Sequence, residues 1–342
     1  MSAKKVILSL ALVVTVLTSC LTQVHGVQGR DLKSSEDIYW EDMPDMPVAR
    51  SDLSATVVTV GGMDKIFLFG GCSKDQKEYC EEVTKRCDVF DPVTKQWNDG
   101  ITCKELPRAR YRHAAVSVRN KIYLIGGTDA TEKEIKVIDV YDPSTNTWAE
   151  FGTWEEATSD LAAFARGDDI YVVGGYDTSD YTAQSAIWKF STSKTGSFKN
   201  NLAKVGNMKH ARGDIFAAAS EDYAYVTGGW SHVDSFDSPL ETVERWSFAT
   251  NEWERIANMT HARGDKALMH INGKIYAIGG EQKNDEKKPK PIKDVEVYDE
   301  STDTWTVESE IVDETFRFVA AAHEPTESIY IFGGQNYYDK AW

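Results

Sequence analysis

The sequence predicts an all-β chain, a six-bladed β-propeller of four-stranded antiparallel blades closed by an N-terminal strand, and three periodic observations predict it. A short apolar segment ending in a glycine pair recurs six times, at Gly70-Gly71, Gly126-Gly127, Gly174-Gly175, Gly228-Gly229, Gly279-Gly280 and Gly333-Gly334. An aromatic, a turn and a second aromatic seven residues on follow most pairs: Phe90 and Trp97, Tyr141 and Trp148, Trp246 and Trp253, Tyr298 and Trp305. An arginine opens a small-residue run before most pairs, at Arg50, Arg110, Arg212, Arg263 and Arg317, with Thr158 in the third repeat. Self-similarity at a period of 48 to 56 residues marks a repeat architecture.

Each repeat reads as four strands, a to d. Strand a is rich in small residues, as in His113-Ala-Ala-Val-Ser-Val118, which suits the crowded place nearest a central axis. Strand b, such as Lys121-Ile-Tyr-Leu-Ile125, is apolar throughout because both its faces are covered. The glycine pair after it permits close backbone approach and conformations that a Cβ forbids. Strand c ends at an Asp-Pro turn in two repeats, Asp91-Pro92 and Asp142-Pro143, and strand d opens with the tryptophan. Aromatics on adjacent strands then fill the space between blades. The third repeat departs, with Phe190 and Phe198 one residue further apart.

Glycine pairs, tryptophans and arginines in phase resemble the Kelch family, whose repeats of about fifty residues form propeller blades. The resemblance covers residues 39–342. It implies a binding scaffold. No BTB-type domain is read before the repeats, so a cullin-adaptor role is not implied. The last repeat lacks its turn and tryptophan, and Trp40 stands ten residues before Arg50 as Trp253 does before Arg263. Residues 39–43 are therefore expected to be the outer strand of the last blade, which ties the chain's ends together. The tail 336–342 would then be strand c or irregular.

Residues 1–26 read as a signal peptide: Lys4 and Lys5, an apolar run from Val6 to Thr18, and short residues at Val24-His25-Gly26. Residues 27–38 read as a flexible mature N-terminus. The run is too short to span a bilayer, and no later stretch is long enough. Leu17-Thr18-Ser19-Cys20 also resembles a bacterial lipoprotein signal that would anchor the chain through Cys20. The expected location is secreted and extracellular. Four cysteines remain, Cys72, Cys80, Cys87 and Cys103; an even number in an exported chain reads as two disulfides within one repeat, with three pairings open. A net charge of −16, or −18 once Lys4 and Lys5 are removed, argues against nucleic acid and anionic membranes as partners.

The b–c and d–a loops share one face of such a ring, and irregular loops on a rigid scaffold are where recognition sits. The candidate binding residues on this channel-mouth face are Arg50, Arg110, Arg212, Arg263 and Arg317, with Tyr176, Tyr181 and Trp230 as aromatic anchors. The competing structural reading pairs each arginine with backbone carbonyls or with the Asp two residues on, as at Asp52, Asp214 and Asp265; Asp160 holds that place after Thr158. Arg-Gly-Asp occurs at Arg166, Arg212 and Arg263 and resembles the integrin tripeptide; repeat phase accounts for the last two copies. Asn258-Met-Thr260 is a glycosylation sequon on the same face. The histidines show no metal-ligand spacing, and the charged segment from Lys283 to Lys293 reads as a solvated loop. No phosphate loop, nucleophile elbow or dinucleotide fingerprint is present.

The expected function is therefore extracellular binding of a protein or glycan by a monomer, without catalysis, metal or cofactor. The alternative is a sugar-active enzyme of the kind the resemblance allows, such as a sialic acid mutarotase-like isomerase; the ligand set of a copper galactose oxidase is not assembled. An architectural role through self-association is a third reading.

Overall fold

The b strands carry the apolar runs, and burial follows them. In Met63–Phe69 the last five side chains are buried, and Ser328–Phe332 is buried throughout. Aspartate terminates strand c by bonding its own turn. Asp91 Oδ1 accepts the Val93 and Thr94 N–H groups, and Asp142 and Asp299 accept from Ser144 and Ser301. The residue just before strand d takes a left-handed φ in most repeats, at Lys95, Asn146, Asn251 and Asp303.

The computed structural model describes residues 6–9, 38–76, 79–231, 239–283 and 289–335. Five repeats each fold into a four-stranded antiparallel sheet from one continuous stretch. The first has Ser54–Val60, Met63–Phe69, Cys87–Asp91 and Gln96–Trp97 in sequence order from the axis outward, and the next three follow the same plan. The fifth has Ala267–Ile271, Lys274–Ile278, Asp294–Asp299 and Thr304–Glu310.

Where six such blades are expected, five are built this way. The last repeat contributes the hairpin Val319–His323 and Ser328–Phe332. Val6–Ser9 pairs with Ser328–Phe332, and Tyr39–Asp42 pairs with Val6–Ser9. The Tyr39 segment is thus separated from the last b strand by the apolar stretch that the sequence assigns to a signal peptide. The expected single N-terminal closing strand is not what this sheet shows: an outer strand needs a c strand beneath it, and the apolar stretch takes that place. The rest of residues 1–26, residues 27–37 and the tail 336–342 lie outside the described residues.

The ring itself is linked by backbone. The second glycine of each pair donates to a carbonyl of the following repeat: Gly71 to Arg110, Gly127 to Thr158, Gly175 to Arg212, Gly229 to Arg263, Gly280 to Thr315, and Gly334 to Arg50. The sixth link returns to the first repeat. Glycine is required for this approach. At Gly71, φ is +95° and an added Cβ would lie 2.6 Å from the Ser51 oxygen; at Gly333, it would lie 2.2 Å from the Arg50 oxygen.

Outer aromatics fill the wedges between blades. Tyr141 and Trp148 lie 4.8 Å apart, and Tyr298 and Trp305 5.2 Å apart. The indole N–H groups of Trp97, Trp148 and Trp305 donate to the carbonyls of Pro44, Lys104 and Ala257 in the preceding repeat's exit segment. In the third repeat a short helix, Phe198–Asn201, replaces the tryptophan, and Phe198 lies over Gly152, Phe151 and Phe190. The cysteines pair as Cys72–Cys80 and Cys87–Cys103.

Candidate functional site at the channel mouth

Four of the arginines singled out by the sequence are fully buried: Arg50, Arg110, Arg212 and Arg263. Each donates to the carbonyl of the first glycine of its own repeat, at 2.8, 3.3, 2.9 and 3.0 Å. Each also pairs with a strand c carboxylate: Arg50 with Asp88, Arg110 with Asp139, Arg212 with Glu244 and Arg263 with Glu296. Burial pulls Arg50 and Arg110 down to about 10, against the opposing charges of Asp88 and Asp139, so both stay cationic at neutral pH. Where threonine stands instead, Thr158 Oγ1 donates to Gly174 O at 3.0 Å. These four arginines hold strands together and cannot reach a ligand. Their acceptors are a carbonyl and a strand c acid, not the Asp two residues on.

Arg317 differs, because it is two places out of phase. Thr315, not Arg317, occupies the place of Arg50, since the second glycine Gly280 donates to its carbonyl. Arg317 instead aligns with Asp52, Arg112, Asp160, Asp214 and Asp265. All six have left-handed φ between 49° and 56°. Their backbones form a belt: Asp52 N–H donates to Arg317 O, Arg112 to Asp52, Asp160 to Arg112, Asp265 to Asp214 and Arg317 to Asp265. All six side chains line the mouth of a central cavity of about 180 Å³, whose deeper wall includes Ala115, Ala163, Phe216, Ala217 and Met269.

The belt is electrically uneven. Arg112 Nε stands 3.8 Å from Asp52 and 3.7 Å from Asp160, and Arg317 Nε stands 4.0 Å from Asp52 and 3.9 Å from Asp265. Asp214 sits between two other acids and takes a hydrogen bond from Tyr176 Oη at 2.9 Å. Burial, then the charge of Asp265, pushes Asp214 up to about 7. Burial, with Glu281 and Asp52 adding to it and Arg317 opposing, pushes Asp265 up to about 8. Burial and Asp214 also raise Asp160. For Arg112, burial is outweighed by Asp160 and Asp52, and for Arg317 by Asp52 and Asp265; both are held firmly charged.

Beside the belt, a second hollow of about 170 Å³ is lined by Asp214, Asp265 and Arg317 with Trp230, Glu281 and Lys283. Of the expected aromatic anchors, Tyr181 is exposed, whereas Tyr176 and Trp230 are buried under the mouth. They seat against glycines of the next repeat: a Cβ on Gly213 would lie 2.2 Å from the Tyr176 ring, and one on Gly264 2.1 Å from the Trp230 indole. The Arg-Gly-Asp strings at 212 and 263 thus combine a buried arginine, a glycine under an aromatic and a belt aspartate. Arg166 ends strand Ala162–Arg166 and lies over the Phe248 ring. Asn258 is exposed and donates to Glu241.

A mouth of this kind presents carboxyl groups that hold protons readily, at Asp160, Asp214 and Asp265, beside the guanidinium donors of Arg112 and Arg317, a set able to hydrogen-bond a polar or anionic ligand group. No cluster of metal-ligating side chains occurs among the described residues. Sequence reasoning missed Arg112 and the offset of Arg317. Aligning the three-residue strings from Arg50, Arg110, Thr158, Arg212, Arg263 and Thr315 exposes both.

Comparison with known proteins agrees with this architecture. The profile described as the KLHDC2/KLHL20/DRC7 Kelch-repeats domain matches residues 54–268, and the Kelch motif matches residues 262–310. Kelch-like protein 36 of Bos taurus is 24% identical over 319 residues, covering 85% of this chain and 46% of that protein. Kelch repeat and BTB domain-containing protein 1 of cowpox virus (strain Brighton Red) is 25% identical over 250 residues, covering 71% of this chain and 40% of that protein. The chain thus spans less than half the length of these relatives. The solved structure of YjhT superposes with a TM-score of 0.70 at 14% identity, over 87% of this chain and 94% of that one, a likeness of fold.

Proposed function

The chain belongs to the Kelch-repeat family, and on that footing we propose that it is a non-catalytic binding module that holds a protein or glycan partner at the channel mouth. The observation that carries this reading is the belt of four aspartates and two arginines on left-handed backbone, all facing one cavity. Charge complementarity of this kind fixes register and suppresses wrong partners. The contacting groups are Arg112, Arg317, Asp160, Asp214 and Asp265, with Tyr181 at the rim. Capture of a partner on the immobilised chain tests it. Recovery should fall at least tenfold for Asp214→Asn and for Arg112→Ala combined with Arg317→Ala. Equal recovery by all variants discards the mouth.

The module works outside the cell, as a monomer freed of residues 1–26, and Asn258 carries a glycan. Paired cysteines and an exposed sequon support this. Expression in a secreting cell tests these points together: the medium should hold a monomeric, glycosidase-sensitive chain lacking residues 1–26, and retention of the leader would remove them.

One observation favours a second reading, a sugar-active isomerase. Two guanidinium groups, Arg112 and Arg317, approach the same Asp52 oxygen, and Glu132 stands 3.7 Å from Arg112. Such a group of charges could take an acidic sugar. Silence in a sialic acid anomerisation assay from about pH 5 to 8 would remove it.

A further inference from the structure

The belt has two unlike sides. Its backbone bonds tie Asp265 to Arg317, Arg317 to Asp52, Asp52 to Arg112 and Arg112 to Asp160, with Asp214 tied to Asp265. Both arginines therefore flank Asp52 on one side of the mouth, and Asp160, Asp214 and Asp265 follow one another on the other side. The carboxylate oxygens of Asp52, Glu132, Asp160 and Asp265 stand 3.7 to 4.0 Å from the two guanidinium groups. That is beyond hydrogen-bond reach, so none of these acids takes up an arginine N–H. The side chains of Arg112 and Arg317 keep 14% and 23% of their surface and line the cavity, so their donors open on it.

Below the belt the wall turns apolar. Ala55, Ala115, Ala163, Phe216, Ala217 and Met269 line this throat, and each keeps part of its surface, so the wall is reached from the mouth. A polar pair on the same wall, Ser54 Oγ and His113 Nε2, is closed on itself at 2.7 Å. An apolar cavity of about 150 Å³ holds a benzene ring. The cavity here is about 180 Å³, which admits an apolar body of roughly six carbons.

We propose that this cavity binds a small monocarboxylic acid, with its carboxylate on the side of Arg112 and Arg317 and its short aliphatic or aryl body in the throat. The proposal goes beyond a macromolecular partner and shares with that reading only the premise that the mouth is a binding face. Guanidinium forks match the two oxygens of a carboxylate. Both arginines approach one Asp52 oxygen, at 3.8 and 4.0 Å, so a single small anion beside it meets both. Across the mouth, Asp214 and Asp265 hold protons readily and face the anion as hydroxyl donors. The throat favours an apolar body by taking it out of water. It offers few partners to a polyhydroxylated body, whose hydroxyl groups are costly to bury unpaired.

The test titrates the full chain with acetate, butanoate, hexanoate, phenylacetate, hexanamide and glucuronate, by calorimetry and saturation-transfer NMR. It is run at about pH 6, below the values of Asp214 and Asp265. Affinity should rise about fourfold per methylene from acetate to hexanoate. Hexanamide and glucuronate should bind at least about tenfold more weakly than hexanoate. Arg112→Gln combined with Arg317→Gln should weaken hexanoate at least about tenfold, and so should Ala115→Leu combined with Ala163→Leu, which fills the throat. Arg245→Gln, whose side chain pairs with Glu254 and Glu300 away from the cavity, should change nothing. Circular dichroism separates loss of binding from loss of fold, and the ligand series on the unaltered chain carries the test if a variant does not fold. The proposal is overturned by no binding of any acid, by affinity that ignores chain length, or by hexanamide equal to hexanoate. Glucuronate tighter than hexanoate also overturns it, in favour of an acidic sugar. Acids that bind while partner capture fails discard only the macromolecular partner; capture without acid binding discards only the small ligand.

Discussion

Two residues apart in sequence, the arginine and the belt residue of four repeats have unrelated duties. Arg263 is closed in by Gly279 O, Asp294 O and Glu296, whereas Asp265 faces the cavity. Composition shows both residues but not which is enclosed, so an arginine that recurs with the repeat reads as a ligand contact when it is a strut. The offset at Arg317 adds to this, because the eye aligns arginine with arginine. The belt acids give a pH prediction. The folded pKa of Asp214 is raised to about 7 and that of Asp265 to about 8, above an ordinary carboxylate near 4, so the folded chain binds more protons than the unfolded chain between those values. Their contribution therefore weakens stability as pH rises from about 4 through about 8. Asp214→Asn should flatten that decline in denaturant midpoints between about pH 5 and 8. Parallel curves for the two proteins would contradict the assignment.

At the scale of strands and wedges, the sequence was legible where a side chain recurs with the period. The Gly-Gly pairs mark the end of strand b in every repeat, and the tryptophan marks strand d in four. The third repeat was half legible. Phe198 keeps the aromatic duty from a short helix, while the strand itself begins at Ala203, because the wedge needs a ring at that place more than it needs a strand. Asn146 Oδ1 accepts from the Lys104 N–H and the Tyr141 hydroxyl, a lock that could not be read, since nothing in a lone Asn announces two partners in different repeats. At the matching place before Asn251, Trp246 stands where Tyr141 and Tyr298 do in their repeats, and the Trp253 indole N–H has no partner, which the sequence does not announce either. The difference is measurable. Trp305→Phe breaks a bond to Ala257, whereas Trp253→Phe breaks none. In urea unfolding the first should be more destabilising than the second by about 1 kcal/mol. Equal losses would mean that Trp253 is paired in solution.

Across the whole molecule, period translates into a ring because each repeat hands one backbone bond to the next, ending with Gly334 on Arg50. Periodicity foretold the circle. It did not foretell which segment sits beside the last b strand, because an apolar leader and a strand c are alike in composition: Val6–Ser9 reads as either. The two disulfides both fall in the first repeat and its exit segment, so they brace one sector. Closing the loop from Cys87 to Cys103 should be worth about 3 kcal/mol. Cys87→Ala with Cys103→Ala should lower the urea midpoint accordingly, and an unchanged midpoint would show that the pair is reduced in the native protein.

The belt has one more consequence. Its five hydrogen bonds run through main chain alone, so exchanging the side chains that stand on it leaves these links in place. Arginine is poorly suited to a left-handed backbone, at about 1–2 kcal/mol per residue, while aspartate tolerates it better. A fold indifferent to these six positions would favour glycine, asparagine or aspartate at all of them. Holding arginine at 112 and 317 sets that strain against the neighbouring carboxylates of Asp52, Asp160 and Asp265, so either arginine can be exchanged for asparagine to remove one charge from the rim without touching the scaffold.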